Sequence, residues 1–339
     1  MPPAIQLTLP PAAASGIGSL PGTAARYSAA MVFETVPGLP YLPELPARGP
    51  GADMIGRAFG ILTELYAATE PSGWRFAEHP GRETRRAASF LGEDLDALEE
   101  RATDYRGSMK AAVAGPWTLA AAVELRHGDK ALSDPGACRD IAASLADGLR
   151  SHVVELRKRV PGHQTLVIAL DEPALPAVLR GSVPTASGFG TLSAIEPAVV
   201  RATLQMVVDV LAAEDVPVVV HCCAADVPVE LLQEAGVAGL AVDLAYRVDE
   251  EAWGGFLEAG GVLLAGVVPS APGATLPSAQ RCAEPVRALF NRLGLPAKEL
   301  GRVVPVPACG LAAASNEHVR AVAQLCADTA KVLAEAAEQ

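Results

Sequence analysis

The chain has 339 residues, 50% of them hydrophobic and 19% charged, with a formal charge of −12. That composition excludes an intrinsically disordered protein, and the length buries a large core without disulfide staples. The negative balance disfavours nucleic acid and anionic membrane as partners and leaves room only for a local basic pocket.

Residues 1–13 read as an N-terminal extension: MPPAIQLTLPPAAAS has no basic region and is broken by prolines, unlike a signal peptide. No apolar run approaches the ~20 residues of a membrane span, so the expected location is the cytoplasm. In that compartment Cys138, Cys222, Cys223, Cys282, Cys309 and Cys326 are expected free or metal-bound rather than paired. A first strand is predicted at Gly16–Ser19. Val36–Gly51 (VPGLPYLPELPARGPG) is Pro/Gly-rich and reads as a long surface loop, because about 35 residues before it are too few for a domain. A weak strand follows near Trp74–Phe76, then an apolar run ending at Val113. Gly115-Pro116-Trp117-Thr118 is a turn entering a helix, with Thr118 as its expected N-cap.

From there strands and helices alternate. Strands are predicted at Thr165–Leu170, Val216–Val220, Ala238–Val242, Val262–Val267 and Val303–Val306. Helices are predicted at Ala198–Ala213, Asp226–Ala235, Asp249–Ala259, Ser278–Leu293 and Ser315–Ala336. Continuous apolar strands separated by helices predict a parallel α/β sheet covered on both faces. The count of eight strands predicts a (β/α)8 TIM barrel in a single catalytic domain over residues 1–339. A doubly wound open sheet is the alternative, but Gly16-Ile17-Gly18 does not complete the G-x-G-x-x-G fingerprint.

The polar residues fall at strand ends. Asp171, His221, Cys223, Asp243 and Cys309 each lie at or just past the C-terminal end of a predicted strand, the face on which barrel active sites are built. Strand alternation points His221 and Cys223 the same way and Cys222 the other. One imidazole, two thiolates and a carboxylate suit zinc, which accepts mixed N, S and O ligands. A buried cysteine pair is the plainer alternative for Cys222-Cys223. Asp171-Glu172-Pro173 is either a helix N-cap or, at Asp171, a partner for a substrate ammonium. The turn Gly16-Ile17-Gly18-Ser19 offers backbone N–H groups and a hydroxyl to a carboxylate, although most such turns are only turns. His79, His127, His152, His163 and His318 are assigned no role.

GIGSLPGT, GPWT, LDEPAL, VVVHCC, the strand ending in Asp243, and PACGLA occur in one order from Gly16 to Ala312. In that order they resemble the catalytic half of cobalamin-independent methionine synthase; GPWT is also similar to the uroporphyrinogen decarboxylase relatives. The resemblance implies a methionine synthase/uroporphyrinogen decarboxylase-like barrel. It implies zinc held by His221, Cys223 and Cys309, with Asp243 at the position of the family's ligand glutamate. It implies Ile17, Gly18 and Ser19 at the carboxylate of homocysteine and Asp171 at its ammonium and in catalysis. Two departures stand out. Asp243 is one methylene short of glutamate, and the segment VVPSAPGATLPS lacks the histidine to which the family assigns proton movement.

The expected activity is therefore zinc-dependent S-methylation of homocysteine or a similar thiol to give methionine. The family's folate-binding first half is missing, as in its short single-barrel relatives. Only five lysines (Lys110, Lys130, Lys158, Lys298, Lys331) are available to a polyanionic folate tail. A methylcorrinoid, delivered by a separate corrinoid protein, is the expected methyl donor; the 36–51 loop is either part of its docking rim or inert. The competing readings are a metal-free decarboxylase on the same barrel and a non-catalytic zinc- or amino-acid-binding relative.

Overall fold

The computed structural model describes residues 5–126, 128–246 and 249–338. Six strands form one parallel sheet in sequential order: β3 (Gly107–Ala114), β4 (His163–Asp171), β5 (Val218–Cys222), β6 (Gly239–Asp243), β7 (Val262–Val268) and β8 (Val304–Pro307). An antiparallel hairpin, β1 (Tyr66–Glu70) and β2 (Gly73–Ala77), precedes it as a separate sheet. At least one helix lies between each successive pair of strands in the parallel sheet, as parallel connection requires. Among the described residues, no helix is long and apolar enough to cross a membrane.

The sheet is curled. Val167, Val219, Ala241, Leu264, Val304 and Val306, drawn from five strands, pack into one cluster on its inner face. Their sequence neighbours Leu166, Ile168, Val218, Leu240 and Leu263 pack outward into the cluster that the helices cover. This period-2 division, with both sets apolar, explains why the strands read as continuous hydrophobic runs.

Both sheet edges are occupied by the N-terminal part of the chain. Lys110 N–H donates to the Pro40 carbonyl at 2.9 Å and Leu42 N–H to the Lys110 carbonyl at 2.9 Å. Glu44 N–H donates to the Gly18 carbonyl at 3.1 Å, and Ser15 N–H donates across to Pro305 of β8 at 3.3 Å. The expected surface loop at 36–51 is thus corrected over its central part: Leu39, Tyr41, Leu42, Glu44 and Leu45 are all buried. Proline removes a donor but not an acceptor, so Pro40 and Pro43 can flank the N–H groups of Leu42 and Glu44, which make the bonds. A docking rim is therefore not available over that stretch.

Two strand expectations also change. Gly16–Ser19 contributes only the isolated bridge between Ser19 and Glu44. Trp74–Phe76 belongs to the hairpin, where Trp74 stacks on Phe59 at 5.7 Å and donates its indole N–H to Asp53 at 3.1 Å. The five expected helices are present within three residues at each end, at Pro197–Ala212, Val229–Glu234, Glu250–Glu258, Ala279–Leu293 and Asn316–Ala337. The predicted starts Asp249, Ser278 and Ser315 are their N-caps, each accepting first-turn N–H groups.

Glu172 caps a neighbouring helix rather than its own. Its carboxylate, 0% exposed, accepts from the N–H groups of Trp117 (2.9 Å) and Thr118 (2.7 Å) and from the Thr118 hydroxyl (2.8 Å). These open the helix Pro116–Ala122, whose N-cap is Gly115 rather than the expected Thr118. A Cβ at Gly115 would lie 2.4 Å from Glu172 Oε1, so the carboxylate reaches the helix only because this residue has no side chain. Glu172→Ala is expected to destabilise the fold by about 3 kcal/mol, since it strips a helix cap and leaves buried donors unmet. A fall in the urea midpoint at constant slope measures this; an unchanged midpoint rules the cap out as a stabilising element.

Candidate metal centre

The register places Asp171 of β4 directly beside His221 of β5, both on the inner face. Their side chains meet: Asp171 Oδ1 lies 2.8 Å from His221 Nδ1, and both groups are buried. With Nδ1 protonated and donating to the carboxylate, the Nε2 lone pair faces away from Asp171. Nε2 is buried with no hydrogen-bond partner among the described residues.

β5 ends at Cys222, two residues beyond the expected end at Val220, so His221 lies within the strand. Cys222 turns outward into the protein, where burial pushes its thiol up to about 11. Cys223 follows on the inner side. Cys309 comes from the turn after β8, and its sulfur lies 3.4 Å from that of Cys223. The hydrogen bond between the sulfurs holds Cys309 well below, and Cys223 well above, the usual thiol range. The donor atoms of His221, Cys223 and Cys309 all lie within 4.8 Å of one another.

This group fits a metal ion. A buried imidazole nitrogen without a partner is costly, and it sits beside two sulfurs with no other use for its lone pair. One nitrogen and two thiolates suit zinc by softness. A carboxylate behind the imidazole is the arrangement that fixes the tautomer of a metal-binding histidine.

The fourth expected ligand, Asp243, is not among the donors that lie within 4.8 Å of one another. Asp243 ends β6 on the inner face, in register with Gly266, but its Oδ1 accepts from Ala245 N–H at 2.9 Å. The short side chain is satisfied by its own loop, an Asx-type turn. None of His79, His152, His163 and His318 enters the group, and His127 lies outside the described residues.

The Ile17-Gly18-Ser19 turn lies against the same site. A Cβ at Gly310 would meet Ser19 Oγ, and Leu311 N–H donates to the Ser19 carbonyl at 2.9 Å, so the turn abuts the loop that carries Cys309. Gly16 is needed because a Cβ there would lie 2.5 Å from the Tyr41 ring.

Two charged residues at this turn were missed by sequence reasoning. Glu44 is buried with its Cδ 3.5 Å from where a Gly18 Cβ would sit. Burial pushes its carboxyl above the usual range, while Arg57 pulls it back. Lys110, 2% exposed on the inner face of β3, donates its ammonium to the Ile17 carbonyl at 2.7 Å. Burial pushes Lys110 down to about 8, against the pull of Asp171 and Glu44. The signal for Lys110 was a lone charge inside the apolar run MKAAVA; for Glu44, hidden among prolines, the sequence held none. Beyond Glu44, Arg57 and Arg48 share the buried Asp94 at 2.7 Å each.

A cavity of about 980 Å³, lined by none of His221, Cys223 and Cys309, has Asp226, Asp243, Asp249, Glu250, Glu251 and Arg292 in its wall. Its polar wall is predominantly acidic.

A family model described as "Cobalamin-independent synthase, Catalytic domain" matches residues 12–332. No curated protein matches the chain. Among solved structures, a B12-independent methionine synthase from Shewanella sp. W3-18-1, in complex with selenomethionine, has the same fold. It aligns with a TM-score of 0.62 at 14% identity, over 96% of this chain and 98% of that one. An uncharacterised protein aligns at 14% identity over 74% of this chain and 69% of its own, with a TM-score of 0.29 that carries no argument.

Proposed function

The chain belongs to the family of cobalamin-independent synthase catalytic domains, and on that premise we propose that it is a zinc-dependent S-methyltransferase that converts homocysteine, or a similar amino-acid thiol, to its methyl thioether. The observation that carries the reading is the His221–Cys223–Cys309 group, with Asp171 behind the imidazole and Nε2 otherwise unpartnered. It lies beside a turn suited to an amino acid's carboxylate. In this reading the strand-like segments at 15–20 and 40–45 take the place of two strands and close the sheet as a (β/α)8 barrel. Their bonds to Pro305 and Lys110 support that closure.

In the reaction the acceptor's S–H bond and the donor's bond to its methyl group break. The S–CH3 bond forms, the donor keeps the electron pair, and the proton is released. Zinc held by the three ligands would supply the positive charge that brings a thiol of pKa about 8.5 to the donor as a thiolate. Asp171 holds His221 in the tautomer that presents Nε2. The free side of Asp171 and the carboxylate of Glu44, across the Gly18 turn, form an acidic pair for the substrate ammonium. The N–H groups of Gly18 and Ser19, with the Ser19 hydroxyl, receive its carboxylate. A cytoplasmic setting accords with six free cysteines.

For the donor we propose a methylcorrinoid, presented by a carrier protein, over a polyglutamylated folate. The net charge of −12 and the presence of only five lysines would disfavour a polyanionic tail. The test starts from protein purified without chelator. It should contain one zinc per chain and form methionine from homocysteine and methylcobalamin. Protein without metal overturns the zinc reading. Equal turnover with methyltetrahydrofolate alone, indifferent to any corrinoid, overturns the donor.

A further inference from the structure

We propose that Lys110 is a positioning residue for the substrate's carboxylate, acting through the Ile17 carbonyl; the inference rests on the reading that the substrate is an amino-acid thiol.

An ammonium with 2% of its residue exposed is expensive to bury, and the sheet does not require one at this position. Its nearest same-face neighbours along β3 are Ser108 and Ala112, with Ala114 beyond, and its register partner on β4 is Val167. An apolar side chain would pack there at lower cost. The ammonium is instead committed to one backbone atom, the Ile17 carbonyl at 2.7 Å, with the Tyr41 ring 5.3 Å away. Glu44 from the 40–45 segment and Asp171 from β4 are the charges that act on it.

The consequence follows from peptide geometry. The C=O and N–H of one planar peptide point in opposite directions. Pinning the Ile17 carbonyl to Lys110 therefore turns the Gly18 N–H away from the lysine. The next carbonyl, that of Gly18, is pinned by Glu44 N–H at 3.1 Å. Among the described residues, neither the Gly18 nor the Ser19 N–H donates to a protein acceptor. Two consecutive peptides are thus fixed by their carbonyls, and their N–H groups are left for an anion.

The charges also have to be sorted. Glu44 and Asp171 together would attract a substrate ammonium and repel its carboxylate. The Lys110 charge, on the carbonyl side of the turn, partly neutralises Glu44 and Asp171 and so weakens that repulsion. In a low-dielectric interior such a contribution is larger than at the surface. The zwitterion is then read as two halves, the acidic pair for one end and the lysine-backed turn for the other.

The experiment compares the zinc-loaded Lys110→Met variant with the parent protein on two acceptors, homocysteine and 3-aminopropane-1-thiol, which lacks only the carboxylate. KM for homocysteine should rise about 30-fold more than KM for the amine thiol, as expected for loss of a charge-supported contact. Equal changes for both acceptors, or none for either, overturn the inference and leave the methyltransferase reading in place. If the Met variant does not fold by circular dichroism, Lys110→Gln decides the matter. It keeps a donor to the Ile17 carbonyl and loses the charge, and should discriminate in the same direction by a smaller factor. A parent protein that takes neither thiol overturns the function and the inference together.

Discussion

Replacing Cys309 by Ser should remove nearly all bound zinc and lower methyl transfer by about a thousandfold or more, because among the described residues the site has three donor groups within reach of one another. A serine hydroxyl is a neutral, hard oxygen in place of a soft anionic sulfur. The Cys309 sulfur lies 3.4 Å from that of Cys223, so the substitution removes one of the two thiols of the group. Asp243, bonded to its own loop at Ala245, is not placed to compensate. Metal analysis after dialysis, with circular dichroism to confirm folding, reads the result. A folded variant that keeps one zinc per chain would eliminate Cys309 as a ligand. Cys222→Ser is the matched control. That side chain points away from the group, and its loss should leave zinc stoichiometric.

Asp171→Asn is expected to produce two separable losses. Asn keeps an oxygen that accepts from His221 Nδ1–H but not the charge, and loss of such an outer partner lowers metal affinity by about 10–100-fold. The second loss falls on the substrate. With zinc in excess, KM for homocysteine should still rise about tenfold more than KM for 4-mercaptobutanoate, which lacks only the amino group. Equal increases for the two thiols would mean that Asp171 works solely through His221. The 2.8 Å bond already assigns one of its oxygens to that task.

The second half of the chain was readable because its signals are local. Each β-branched run ends at a polar residue, and Asp249, Ser278 and Ser315 mark helix starts by cap chemistry alone. Period-2 alternation separated His221 and Cys223 from Cys222, and the structure brings the first two together with Cys309. The first half resisted for the opposite reason. Pro40 and Pro43 are loop signals, yet the segment they punctuate pairs through the N–H groups of Leu42 and Glu44, each next to Pro43. Loop composition across that segment hides Glu44 as well. Trp74–Phe76 has a strand's composition and forms a strand, but composition does not say which sheet a strand joins. The Asp171 contact with His221 could be anticipated as proximity and not as a bond, because register between strands 50 residues apart is set by the packing of the whole sheet. Glu172 shows the same limit: its position near a helix start was legible, and the identity of the helix was not.

The sulfur pair also sets an order of events during synthesis. Cys223 and Cys309 are separated by 86 residues of sequence. At about 5–20 residues per second, the ribosome would need several seconds or longer to add them. Over that interval His221 and Cys223 exist without their third partner, and the edge of the sheet that meets Ser15 has not been made. A nascent chain therefore has an exposed thiol and no complete site to occupy. Any metal held by the three side chains could be taken up only once β8 has met the segments around Ser15 and Ser19, and Cys223 has to stay reduced until then.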